Sequence, residues 1–356
     1  MMLQMLGTAC LLATPLAYGQ PSVSPVTVPV ELLKKHVYFL ASDSLKGRET
    51  GTQGQRDAAI YCSRTFRQNR LSPFFMVDSG SASFRSTYPF VSTDVAMFGQ
   101  RMPGQAGSRS ALPTTITRFE LTDPPRNHRD SMRVLYGQNV GGLLLGTDLK
   151  QQVVIISAHY DHLGRKGGQI FPGADDNGSG TASVLSIAAT FDSLAQQGIR
   201  PRRSVLFLLF SGEEGGLIGS AYFTTHCPLL TDQIVCDLNV DMVGRVDDAH
   251  RKKPAYCYLI SGERDGGLRK VVDRANKQSV NLELNFDYDT PTDPNQFYYR
   301  SDHYNFAKYG IPILFFMDGL HPDYHRPTDT ADRINYEVLQ QRATLVFQTA
   351  WLMANE

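Results

Sequence analysis

The sequence predicts an α/β protein with a largely parallel central sheet. Two observations carry this. Short apolar runs recur without polar alternation, as in strands covered on both faces. Between them lie longer stretches with helical apolar spacing. Gln152 to Ser157 is the first such strand and Ser204 to Phe210 the second. Cys236 to Val240, Cys257 to Ile260 and Pro312 to Met317 follow. The helices predicted among them are Thr181 to Leu194, with Val184, Leu185, Ile187 and Ala188 inward, Leu217 to Thr225, Leu268 to Ser279, and Asn335 to the C-terminus. Upstream, Val37 to Leu71 reads mostly as helix, with Ala58, Ala59, Tyr61, Cys62 and Phe66 at helical spacing. From Phe74 to Asn127 the periodicity is poor, which predicts irregular strands and loops packed on the main domain. No internal repeat interrupts this order.

Composition narrows the function classes. The chain has 356 residues, 42% of them hydrophobic, enough for a sizeable core. Lys and Arg number 35 and so do Asp and Glu, so no excess of positive charge points to nucleic acid. Met5 to Ala13 is an uncharged apolar run, and Ala17-Tyr18-Gly19 offers a small-x-small cleavage site. Residues 1–19 are therefore expected to be a signal peptide, although no Lys or Arg precedes the run. The mature chain would begin near Gln20 and be periplasmic or secreted. Residues 20–30, with Pro21, Pro25 and Pro29, read as an extended linker, and residues 31–356 as one catalytic domain. No other stretch approaches the roughly 18 apolar residues that span a membrane. Of the later cysteines, Cys227 and Cys236 are nearest in sequence. A disulfide and buried free thiols both fit them.

The chemistry sits at predicted strand ends, where open α/β sheets bind ligands. Ala158-His159-Tyr160-Asp161-His162 follows the first strand. Gly173-Ala174-Asp175-Asp176-Asn177-Gly178 opens a helix. Ser211-Gly212-Glu213-Glu214-Gly215 follows the second strand, and Asp241 follows the third. His321-Pro322-Asp323-Tyr324-His325 lies near the end. Each alone fits an ordinary role: a helix cap at Asp175-Asp176, an acidic first turn at Glu213-Glu214, a loop histidine at His325. Together they suit two divalent ions, because imidazole and carboxylate favour zinc and a metal pair needs a bridging carboxylate. His159 and Asp241 would hold one ion, Glu214 and His325 the other, and Asp175 would bridge. Asp161 would orient His159 from behind. Glu213 would take the proton of a shared water.

These motifs resemble the di-zinc aminopeptidase family, which also includes glutamate carboxypeptidase and, as a relative, glutaminyl cyclase. The resemblance is carried by His159 to Gly164, Gly173 to Gly180, Ser211 to Gly215, Asn239 to Met242 and Ser301-Asp302-His303, and covers roughly residues 135–356. Leu40 to Pro73, with Gly47-Arg48-Glu49-Thr50-Gly51, is similar to the helical N-terminal part of bacterial members. The resemblance implies a three-layer αβα fold with a central mixed, mostly parallel sheet of about eight strands. It also implies two zinc ions per chain and removal of N-terminal residues from peptides. It places His303, and more weakly Tyr298, near substrate or oxyanion. His325 is preferred over His321 as ligand because His325 to Thr330 fits the family pattern. The sequence leaves no room for the gating domain that some members insert. A dipeptidase or carboxypeptidase, a glutaminyl cyclase, and an inactive binding homologue remain as alternatives. A monomer and a small oligomer both fit.

Overall fold

A computed structural model of the protein describes residues 26–77, 80–97, 114–122 and 134–356. The expected signal peptide and the first part of the linker lie outside the described residues. In the described residues ten strands form one mixed sheet. In chain order they are β1 (Ser72–Pro73), β2 (Arg85–Met97), β3 (Thr114–Leu121), β4 (Val134–Leu144) and β5 (Leu149–His159). Then come β6 (Arg203–Phe210), β7 (Ile234–Val240), β8 (Tyr256–Ile260), β9 (Glu283–Asn285) and β10 (Ile313–Met317). Across the sheet the order is β9-β8-β10-β7-β5-β6-β4-β2-β3, with β1 on β4. The central strands β10, β7, β5 and β6 run parallel. The flanks β4, β2 and β3 on one side and β8 on the other pair antiparallel to their inner neighbours.

The uninterrupted apolar runs of β5 and β6 are explained by the layers. Val154, Ile156, Val205, Phe207 and Leu209 face a core completed by helices α1 (Val30–Leu40), α2 (Gln53–Gln68), α3 (Gly180–Gln196), α5 (Leu268–Gln278) and α7 (Tyr336–Asn355). Val153, Ile155, Leu206, Leu208 and Phe210 face a second core with Phe223 of α4 (Ile218–His226) and Phe306 of α6 (His303–Ala307). Successive residues of a strand point to opposite faces, so a strand buried on both must be apolar throughout.

Two stretches differ from the sequence expectation. The region read as irregular strands and loops contributes two regular strands, β2 and β3, which join the main sheet and bring it to ten strands among the described residues. β2 carries Ser, Thr and an internal Pro89, which dilute a strand signal, yet its Tyr88 and Phe90 bury against Phe119 and Ile218. The linker also ends earlier than residue 30. Val28 is fully buried, its N–H donates to Thr344 Oγ1 at 3.1 Å, and Gln340 and Gln348 of α7 donate to the carbonyls of Val28 and Val26. All four cysteines from Cys62 onward are free thiols. Among the described residues no helix is long and apolar enough to cross a membrane.

Candidate metal centre

Parallel pairing brings the site together. β5 ends at His159, which sits opposite Phe210, the last residue of β6. β7 lies on the other side of β5, so Asp241 emerges beside His159. Glu213 and Glu214 follow the end of β6. Residues 174–179 enter α3, and His325 lies in the loop between β10 and α7.

The side chains converge on Asp176. His159 Nε2 lies 3.4 Å from Asp176 Oδ1 and 3.3 Å from Asp241 Oδ1. His325 Nε2 lies 3.0 Å from Asp176 Oδ2 and 3.2 Å from Glu214 Oε2. Each carboxylate oxygen of Asp176 thus faces one imidazole–carboxylate pair. His159, Asp176 and Asp241 form one group with metal-ligand spacing, and His162, Asp176 and Glu214 form another. Glu213 Oε2 is 3.9 Å from His159 Nε2, beside the first pair. Behind His159, Nδ1 lies 3.3 Å from the Asp161 carbonyl and 3.6 Å from its Oδ1.

Asp175, expected to bridge, is turned away from this cluster. Its Oδ1 accepts the Gly244 N–H at 2.7 Å, and its Oδ2 lies 3.1 Å from His321 Nε2. The physical reason is the loop itself. Asp329 accepts the backbone N–H of both Asp175 and Asp176, which pins the turn so that successive side chains diverge. His321, the rival ligand in sequence, is thereby engaged by Asp175. His303 is fully buried and stacks on Phe315, with ring centroids 4.5 Å apart. Burial drives its pKa down to about 3, against a weaker opposing effect of the Tyr298 backbone. Tyr298 lines a separate cavity of about 540 Å³ with Ser261, Arg269 and Asp289. The metal-type cluster opens instead onto a smaller pocket of about 40 Å³. Met242, Phe297, Phe315, Met317 and Leu320 give that pocket an apolar wall, and Arg300 and Tyr324 add polar groups.

The electrostatics separate the two adjacent glutamates. Burial pushes Glu213 well above the usual carboxylate range; His159 opposes this, while Glu214, Asp241 and Asp302 add to it. Burial also raises Glu214, but His325 and His162 outweigh it and hold Glu214 well below that range. Neighbouring carboxyls pushed apart in this way suit a proton carrier beside a permanently ionised ligand. Burial lowers His325, yet Glu214 and Asp176 carry it up to about 11. Burial likewise opposes protonation of His159, and Asp241 and Glu213 overcome it. Carboxylates packed this closely need positive charge among them to offset their repulsion. A divalent cation would supply that charge, so the donor set fits a metal pair.

Sequence reasoning missed several residues here. His162 Nδ1 lies 2.6 Å from Glu214 Oε1, three residues after His159, where no ligand spacing marked it. Tyr324 stacks on His325, with centroids 3.9 Å apart, and accepts a hydrogen bond from Arg300 at 3.0 Å. Its place directly before His325 was the one available signal. Ser301 Oγ donates to Asp241 Oδ2 at 2.8 Å.

A three-layer α/β fold with an imidazole–carboxylate cluster at the carboxyl ends of its central strands defines the class as an α/β protein with a candidate metal site. Residues 139–350, more than half of the chain, match Peptidase family M28, and the chain belongs to that family. A similar curated protein is Aminopeptidase YwaD of Bacillus subtilis, 29% identical over 219 residues, 59% of this chain and 43% of that protein. The chain spans about half or less of the length of the first curated relatives it matches. Among solved structures, the fold is similar to BSAP, a zinc aminopeptidase from Bacillus subtilis, with TM-score 0.62, 17% identity and coverage of 93% and 97% of the two chains. It is also similar to Fimbriiglobus ruber glutaminyl cyclase, with TM-score 0.59, 16% identity and coverage of 94% and 98%.

Proposed function

We propose that this protein is a zinc-dependent aminopeptidase with two metal ions per chain. The convergence of His159 with Asp241 and of His325 with Glu214 on the two oxygens of Asp176 carries this reading. Asp176, not Asp175, takes the bridging place. When bound, two zinc ions supply a polarised scissile carbonyl and an acidified water. Glu213 accepts the proton of the attacking water and returns it to the leaving amine; its upward pKa shift suits that cycle. Asp161 holds the His159 ring from behind. The apolar wall of the pocket suits an apolar N-terminal side chain, and the surrounding carboxylates suit a free amine. His303 and Tyr298 are given no part in the chemistry. An N-terminal leader over residues 1–19 would place the enzyme outside the cytoplasm.

The test is hydrolysis of aminoacyl p-nitroanilides, each paired with its N-acetyl form, with and without chelator. Cleavage of free-amine substrates alone, abolished by chelation, supports the reading. Glu213→Gln should lower kcat by at least ~10²-fold while zinc stays bound. Cyclisation of N-terminal glutamine without hydrolysis, at one zinc per chain, would overturn it in favour of a cyclase.

A further inference from the structure

The Gly47-Arg48-Glu49-Thr50 segment lies between α1 and α2, distant in sequence from every residue of the metal centre, yet it reaches three parts of that centre. Arg48 is fully buried. Its guanidinium donates to the carbonyls of Tyr160 and Gly173 at 2.6 Å each, of Leu40 at 2.9 Å, of Asp176 at 3.4 Å, and of Pro172. Tyr160 follows His159, and residues 172–176 deliver Asp176. Thr50 makes the complementary contacts. Its hydroxyl donates to Asp161 Oδ2 at 2.9 Å and accepts the Gly212 N–H at 2.8 Å. Asp161 backs His159, and Gly212 precedes Glu213 and Glu214.

We infer that Arg48 and Thr50 are positioning residues that set the separation of the metal centre's loops. The inference rests on the metal-centre reading above. Two of these segments lie far apart in the long connection from β5 to α3 and the third follows β6, and the sheet's own register does not fix the distance between their tips. A buried guanidinium with donors in a rigid fork can tie several carbonyls at once. Arg48 ties the loop of the bridging carboxylate to the residue after His159. Thr50 ties the carboxylate behind His159 to the turn that carries both glutamates. Arg48 also holds a left-handed backbone conformation, φ 40°, which a non-glycine residue adopts at a cost. Such supports around metal ligands commonly alter affinity by about 10–100-fold when lost.

The test uses Thr50→Val and Thr50→Ser in the full chain, with Arg48→Lys as a second site. Metal affinity is measured by chelator competition, the visible spectrum is recorded for the cobalt-loaded protein, and kcat and KM are measured with leucine p-nitroanilide. Thr50→Val should bind zinc at least ~10-fold more weakly, change the cobalt bands, and lower kcat more than it raises KM. Thr50→Ser should restore all three. A Thr50→Val protein with the wild-type cobalt spectrum and zinc affinity overturns the inference, even if its melting temperature falls. If Arg48→Lys does not fold, the Thr50 pair decides. Wild-type protein that binds no metal would sink the metal-centre reading itself, a failure distinct from a wild-type centre that ignores Thr50.

Discussion

Asp175 and Asp176 share one loop, and their carboxylates face opposite ways. Either could bridge two ions on sequence grounds, because adjacent acids in a glycine-rich turn carry no signal for which side chain points inward. The direction is set by Asp329, more than 150 residues away, through hydrogen bonds to both backbone amides. His159 and Asp241 stood out because each is a lone candidate at a strand end, the last residue of β5 and the residue after β7, whereas Glu214 beside Glu213 and His325 near His321 each had a rival. Asp176→Asn should therefore strip zinc from both halves of the site and abolish activity. Asp175→Asn should retain zinc but lose about 1–3 kcal/mol of stability, since it disturbs a buried pairing with Gly244 N–H and His321. Zinc content after dialysis, set beside thermal melting, distinguishes the two. Zinc lost from Asp175→Asn and kept by Asp176→Asn would reverse the assignment.

At the scale of elements, the central strands were legible because burial on both faces leaves an unbroken apolar run. The flank was not. β4 contains Gly137, Gly141 and Gly142, which carry little strand preference, and β2 mixes Ser, Thr and Pro with its buried aromatics. Their strand character comes from each other: Tyr88 is opposite Gly137 in the ladder. The ring of Tyr88 lies over that glycine, where a Cβ would collide with it. The ring reaches across to the site, because Tyr88 OH donates to the Ser211 carbonyl at 2.6 Å, just before Gly212 and the glutamates. Gly137→Ala should consequently destabilise the fold by about 1–3 kcal/mol through overpacking. It should also weaken zinc binding, because the displaced ring can no longer hold Ser211. Urea unfolding with zinc titration tests this, and wild-type values for both would exclude the coupling.

At the scale of the whole molecule, the sheet interior holds a carboxyl group far from bulk water. Asp237 on β7 is fully buried and accepts a hydrogen bond from Ser157 Oγ of β5 at 2.7 Å, while its second oxygen has no partner. Burial raises its pKa to about 8; the Ser157 hydrogen bond opposes that shift and nearby Asp302 adds to it. In the unfolded chain the same group titrates near ~3.9. Between these values the folded state keeps a proton that the unfolded state has released, so stability falls as pH rises through that window. Below it both states are protonated, and above it both are ionised, so the contribution is flat at either end. Asp237→Asn removes the titration while keeping an acceptor for Ser157. The melting temperature of the variant relative to wild type, both zinc-loaded, should therefore rise between pH 5 and pH 8 by at least ~2 °C. The comparison is of slopes, so a constant offset from the substitution does not affect it. Parallel profiles for the two proteins across that range would mean that Asp237 is already ionised inside the sheet, with its charge carried by a partner other than Ser157.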